Sequence, residues 1–264
     1  RLIRQWLAYP SKNYSEIQRR LSLVEELLHF ETLRIQTQQA LSHLYDIERI
    51  YTKFVSQQAM PRDLLALLKT TEVFSQLKVL SQEYKKHSFI SQLFELFEKI
   101  HSIDPLQNEL ARAVNEDLPP TWNEGGVFKK NYDSELDEWI TLAFEGKERL
   151  AAIEQKEKAV SGIPNLKIKY NKIYGYYIEI SKSYLSRVPE YYIRKQTLTN
   201  GERFITPDLK EYEEKIFSAE EKKVEREKIL YQKLRDYILT FEKELLHNAK
   251  IISELDVFCS YAQL

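Results

Sequence analysis

The spacing of apolar residues changes period twice along this chain, and few folds accommodate that. Leu136, Trp139, Ile140, Leu142, Phe144, Leu150 and Ile153 form the apolar side of a charge-rich helical stretch over residues 132–160, which ends at Ser161, Gly162 and Pro164. Residues 207–249 make a second helical stretch without interior glycine or proline, enough for roughly 60 Å of helix at 1.5 Å per residue. Between them Leu166, Ile168 and Tyr170 alternate with Lys167, Lys169 and Asn171. Tyr176, Ile178 and Ile180 likewise alternate with Tyr177, Glu179 and Ser181, the two-residue repeat of half-buried strands. Two more strands are expected over residues 191–199 and 202–205, joined through Asn200 and Gly201 in a type I′ turn whose central residues need positive φ. An outgoing helix, a four-stranded sheet and a returning helix describe a small β-domain inserted at the tip of an antiparallel helical arm.

Ahead of the arm, residues up to about Asn115 carry apolar positions at three- and four-residue spacing, as in Leu21, Val24, Leu27 and Leu28, so a helical bundle is expected. Ser15 is the expected cap of a helix over residues 16–28, Pro61 suits the first turn before Leu64, and Asp104 with Pro105 opens another helix. Residues 117–131, with Pro119, Pro120, Gly125 and Gly126, break the periodicity and read as a loop or an extended crossing segment. The predicted fold is mostly α with a small inserted antiparallel β-domain. Residues 1–163 form the helical core and outgoing lever helix, 164–206 the β-domain, and 207–264 the returning lever and the end of the core. The single cysteine, Cys259, excludes an internal disulfide and fits a reducing compartment as a packing residue. With no apolar run long enough to span a bilayer and no signal-peptide plan, a soluble cytoplasmic protein is expected, with no membrane partner.

Catalytic spacing is missing. None of the six glycines heads a G-x-x-x-x-G-K-[ST] string, and His29, His43, His87, His101 and His247 never stand at metal-ligand spacing. Asp46 and Glu48, two apart on a helix, face different ways. No enzyme, metal site or cofactor is expected in this segment. Charge is more informative. The chain as a whole is −1, yet residues 164–206 hold eight basic side chains against Glu179, Glu190 and Glu202, a local charge of +5. With its tyrosines and with donors such as Asn171, Gln196, Thr197, Thr199 and Asn200, that surface can neutralise phosphates without reading sequence. Composition alone equally allows a small sheet with lysines on its solvent face; base stacking by the tyrosines on single strands ranks last, because most of them are needed as core.

The residues also carry a resemblance. NLKIKYNKIYGYY (Asn165 to Tyr177), IEIS, YIRKQTLTNGERFIT (Tyr192 to Thr206) and PDLKEYEEK (Pro207 to Lys215) resemble the clamp and returning lever of the bacterial MutS family. RLIRQWL at the start, DIERI from Asp46, PRDLLAL from Pro61 and GGVFKKNYDSELD from Gly125 follow in the family's order, so the resemblance covers essentially the whole chain. It implies mismatch repair by a homodimeric, DNA-dependent ATPase that interacts with other repair proteins. Clamps would close on double-stranded DNA, and levers would connect them to the nucleotide site. The mismatch-probing and connector domains would precede Arg1, and the ATPase, with its ATP and magnesium, would follow Leu264. The resemblance implies backbone contacts at Asn171, Thr199 and Asn200. Thr199 departs from the basic or small residue common there, and Ala159, Val160 and Ser161 replace a more charged turn. Lys172, Arg194, Lys195, Gln196 and Arg203 join the candidates on charge and hydrogen-bonding grounds, with alternation allowing Arg194 and Gln196 to share a face. The rival reading is a structural lever and interaction module without intrinsic DNA binding.

Overall fold

The computed structural model describes residues 2–85, 89, 92–171, 173 and 175–264, without the side chains of residues 146 and 147. The chain forms two compact units, Arg1–Lys129 with Leu230–Leu264, and Lys130–Ile229.

The first unit is helical: α1 (Leu2–Ala8), α2 (Tyr14–His29), α3 (Glu31–Ser42), α4 (Ile47–Val55), α5 (Pro61–Tyr84), α6 (Gln92–Glu98), α7 (Asp104–Ala113), and α10 (Glu242–Tyr261) near the end of the chain. α5 packs against α3, α4, α6 and α7, and α10 against α1 to α4, so these two helices are buried on several sides. Leu64, Leu67, Phe74 and Leu77 are buried in α5, and Leu245, Leu255, Phe258 and Cys259 in α10. Burial pushes the Cys259 thiol up to about 12, as expected of a packing residue. Pro61 takes the first turn of α5, and the Asp63 carboxylate accepts the Met60 N–H at 2.8 Å. α2 is capped by Asn13 rather than Ser15. The Asn13 side chain accepts the N–H groups of Ser15 and Glu16 at 3.0 and 3.3 Å, because the helix begins at Tyr14, two residues earlier than expected.

In the second unit α8 (Ser134–Ser161) and the first part of α9 (Pro207–Leu239) run antiparallel. Asp133 caps α8 at Leu136 N and takes a two-point bond from Arg226 late in α9, while Lys156 late in α8 meets Asp208 at the start of α9. α8 ends at Gly162, whose φ of 64° supplies the left-handed cap. α9 stops at Leu239 instead of running on to Ala249. Thr240 Oγ1 donates to Tyr237 O at 2.6 Å, and the Thr240 and Phe241 N–H groups bond three residues back, so a threonine hydroxyl and a tightened turn break the helix without glycine or proline.

The sheet comprises β1 (Ile168–Asn171), β2 (Gly175–Ser181), β3 (Ile193–Thr197) and β4 (Gly201–Ile205). All neighbours are antiparallel in the order β1-β2-β4-β3, and a 3₁₀ turn over Lys182–Arg187 follows β2. Ile178, Ile180, Phe204 and Leu166 pack with Leu150 of α8 and Leu209 and Ile216 of α9 in one apolar cluster. Three helix carboxylates fasten the sheet as well. Glu154 accepts the Ile168 N–H at 2.9 Å, Glu213 accepts that of Tyr176 at 3.0 Å, and buried Glu157 accepts the hydroxyls of Tyr191 and Tyr192 at 2.6 and 2.9 Å. Burial raises the Glu154 carboxyl, but the bonds from Lys158 and Ile168 outweigh it and hold the group below its ordinary value.

The β3–β4 turn differs from the type I′ turn expected at Asn200 and Gly201. Leu198 N–H bonds Gly201 O at 2.8 Å, which centres the turn on Thr199 and Asn200, and neither Asn200 nor Gly201 has positive φ. Gly201 answers a different need, since a Cβ there would overlap the carbonyl oxygen of Ile180 on β2.

Candidate nucleic-acid interface

The candidate residues lie on the sheet in three groups. Asn171 ends β1, paired with Gly175, and its Oδ1 accepts the Ile173 N–H at 2.8 Å, an Asx turn that leaves its Nδ2 as the outward donor. Lys172 lies outside the described residues. Thr199 and Asn200 are exposed in the β3–β4 turn. They stand at the opposite end of the sheet from Asn171, because β2 runs from Gly175, beside Asn171, to Ser181, beside Gly201. Six strand steps separate the two ends, about 20 Å at 3.4 Å per residue. The contacts implied by resemblance are therefore two stations on one surface rather than one cluster.

The third group is on β3 and β4, where a bulge decides which way side chains point. Arg194 lies opposite Phe204 while Gln196 lies opposite Arg203, so Lys195 is the extra residue. Successive β4 residues face opposite sides, so Arg194 and Gln196 do too, contrary to simple alternation. Their contacts agree. Arg194, with 63% of its side chain exposed, meets Glu202 at 3.5 Å, two residues before Phe204 on the same face. Gln196 accepts Arg203 Nη1 at 2.8 Å on the other. Lys195 is exposed at the bulge on the edge strand.

Arg203 is the candidate most occupied by the protein itself. Only 18% of its side chain is exposed, its guanidinium lies 4.4 Å over the Tyr177 ring, and Nε is 3.4 Å from Glu179. Glu179 also takes Lys169 at 2.9 Å. The Lys169 bond, reinforced by Arg203 and opposed by burial, holds the Glu179 carboxyl below its ordinary range. Lys169, Glu179, Arg203 and Gln196 thus form a connected polar row across the sheet. Sequence reading counted these cations correctly but missed that Glu179 and Glu202 engage three of them, a pairing that depends on register. It also missed Glu154, Glu157 and Glu213, whose contacts to the sheet have no local signature in a charge-rich helix.

A cleft of about 390 Å³ runs along this part of the sheet, lined by Asn165, Lys167, Lys169, Ser181, Tyr184 and Asn200 among others. Lys167 is exposed in its lining, and Lys182, whose N–H bonds Asn200 O at 3.2 Å, is exposed beside it. The available chemistry is cations, amides and hydroxyls on a surface, suited to holding anionic oxygens. Among the described residues no helix is long and apolar enough to cross a membrane.

Residues 1–262 match the family model described as MutS domain III. The chain is 40% identical over its whole length to the DNA mismatch repair protein MutS of Caldicellulosiruptor saccharolyticus, 40% to that of Alkaliphilus oremlandii and 35% to that of Caldanaerobacter subterraneus. It spans about 30% of the length of these relatives. The helical unit, the paired helices and the inserted sheet therefore have a family: this chain belongs to MutS domain III.

Proposed function

We propose that this chain is the core, lever and clamp portion of a mismatch-repair protein, and that its sheet grips duplex DNA by the backbone without reading sequence. The observation that carries this reading is the edge strand, where Arg194 and Lys195 are exposed about three residue steps from the Thr199 and Asn200 turn. Asn171 supplies a second station about 20 Å along β2. Contacts spaced in this way can meet phosphates of both strands, and backbone contacts position a protein without specifying sequence. α9 contributes residues to both compact units, which suits a lever between the clamp and an ATPase elsewhere in the whole protein. ATP, magnesium and turnover belong with that ATPase, and homodimerisation and contacts with other repair proteins with the whole protein, in the cytoplasm. The segment itself acts as a binding and transmitting element.

A second reading has its own support. Lys169, Arg203 and Arg194 are engaged by Glu179 and Glu202, which reduces the charge left for phosphate and favours a structural module without intrinsic DNA binding. Fluorescence titration of the chain with a homoduplex and with the same duplex carrying one mismatch separates the two. The proposal expects saturable low-salt binding of equal strength to both duplexes. Absence of saturable binding supports the structural module, and a preference for the mismatch contradicts backbone-only contact.

A further inference from the structure

Gly175 has a φ of 72°, and a Cβ on it would overlap the Glu213 carboxylate of α9. Glycine therefore serves both the turn and the close approach of that carboxylate to the chain. Glu213 Oε1 accepts the Tyr176 N–H at 3.0 Å. This N–H lies past the end of the β2–β4 ladder, which starts at the Ile178 and Phe204 pair. The carboxylate thus takes the place of a strand partner. Phe217, one helical turn beyond Glu213 on the same face of α9, packs against Tyr170 and Tyr176 with ring centroids 5.8 and 6.2 Å apart. The two tyrosines, opposite each other in β1 and β2, are themselves 5.2 Å apart. The strand ends leading into and out of the β1–β2 turn are thereby fastened to α9 at two points. Asn171 stands at the base of that turn.

We propose that Glu213 is a positioning residue for duplex DNA: by holding the Tyr176 amide it fixes the start of β2, which pairs with the end of β1, so that the Asn171 side-chain amide meets a backbone phosphate. The inference rests on the DNA-backbone reading above and assigns an acidic lever residue to a phosphate-binding surface. The sign of its effect distinguishes it from plain electrostatics. Removing a carboxylate near phosphates tightens binding on charge alone, whereas removing a positioning acceptor loosens it.

The test is homoduplex binding by the whole 264-residue chain at fixed low salt. Glu213→Ala is expected to bind roughly threefold to tenfold more weakly, the scale of one ordinary net hydrogen bond. Glu213→Gln keeps an acceptor oxygen and should stay within about twofold of the wild type. In a double-substitution cycle Glu213→Ala should add little to Asn171→Ala, because the carboxylate acts through that side chain. Unchanged or tighter binding by Glu213→Ala while Asn171→Ala weakens it overturns the positioning role and leaves the DNA reading standing. Additive effects, or a glutamine variant as weak as the alanine one, overturn it equally. A wild-type chain with no saturable binding removes the DNA reading and this inference together.

Discussion

Glu157 is 1% exposed, yet its carboxylate is satisfied by the hydroxyls of Tyr191 and Tyr192. Burial first, and then the neighbouring carboxylate, pushes the Tyr191 phenol up to about 12 and the Tyr192 phenol upward as well. A group whose folded pKa is raised contributes stability that is fully present below its unfolded value, about 10 for tyrosine, and is lost as pH rises through the folded value. The chain should therefore lose stability from about pH 10 upward through these two residues. Tyrosinate absorbance, compared between wild type and Tyr192→Phe, should show Tyr192 ionising only together with unfolding. Ionisation of Tyr192 near the ordinary value in folded protein would contradict that. Gly201 gives a second residue-scale prediction. Gly201→Ala places a methyl group against the Ile180 carbonyl and should cost about 1–3 kcal/mol of stability as strain, measured by thermal or urea unfolding. A fully stable alanine variant would show that β2 and β4 can separate at that point. Sequence could flag Gly201 as a turn glycine. It could not show that the constraint comes from a neighbouring strand, because that depends on register.

Among the elements, the two long helices and the four strands were legible because a clean periodicity declares itself over many residues. The failures have local causes. Thr240 ends α9 with a side-chain hydroxyl that competes for a helix carbonyl, a residue that sits unremarkably in many helices. The bulge at Lys195 reverses the faces of Arg194 and Gln196, and nothing in R-K-Q announces an extra residue. Arg235 shows how an element end is finished from a distance. Its Nε and Nη2 donate to the last carbonyls of α4, Phe54 O at 2.7 Å and Val55 O at 3.3 Å. A cation at a helix C-terminus complements the helix dipole, and here it adds to the Gln57 N–H that Phe54 O already accepts at 3.3 Å. Arg235→Ala should cost about 1–2 kcal/mol, and Arg235→Lys, which keeps the charge but loses the fork, part of that. Urea unfolding checks both, and an alanine variant of wild-type stability would remove Arg235 as the cap of α4.

For the whole molecule, fold class followed from periodicity and charge placement, whereas the family followed from long matched stretches and is established by identity across the full chain. The candidate surface was only partly legible. Composition found a basic segment of +5, but which cations remain directed at solvent depends on cross-strand partners. Among the described basic side chains, Lys167, Lys182 and an edge at Arg194 and Lys195 are exposed, with Arg194 also meeting Glu202, while Lys169 and Arg203 belong to an internally bonded row. The central claim, that the exposed edge holds duplex backbone, is tested most directly by the salt dependence of binding. Homoduplex affinity is measured over a salt series for wild type and for Arg194→Gln with Lys195→Gln. Each phosphate contact removed should reduce the slope of log K against log salt by about 0.9, so the account predicts a slope shallower by roughly one to two, with weaker binding at low salt. An unchanged slope in a folded double variant would contradict it.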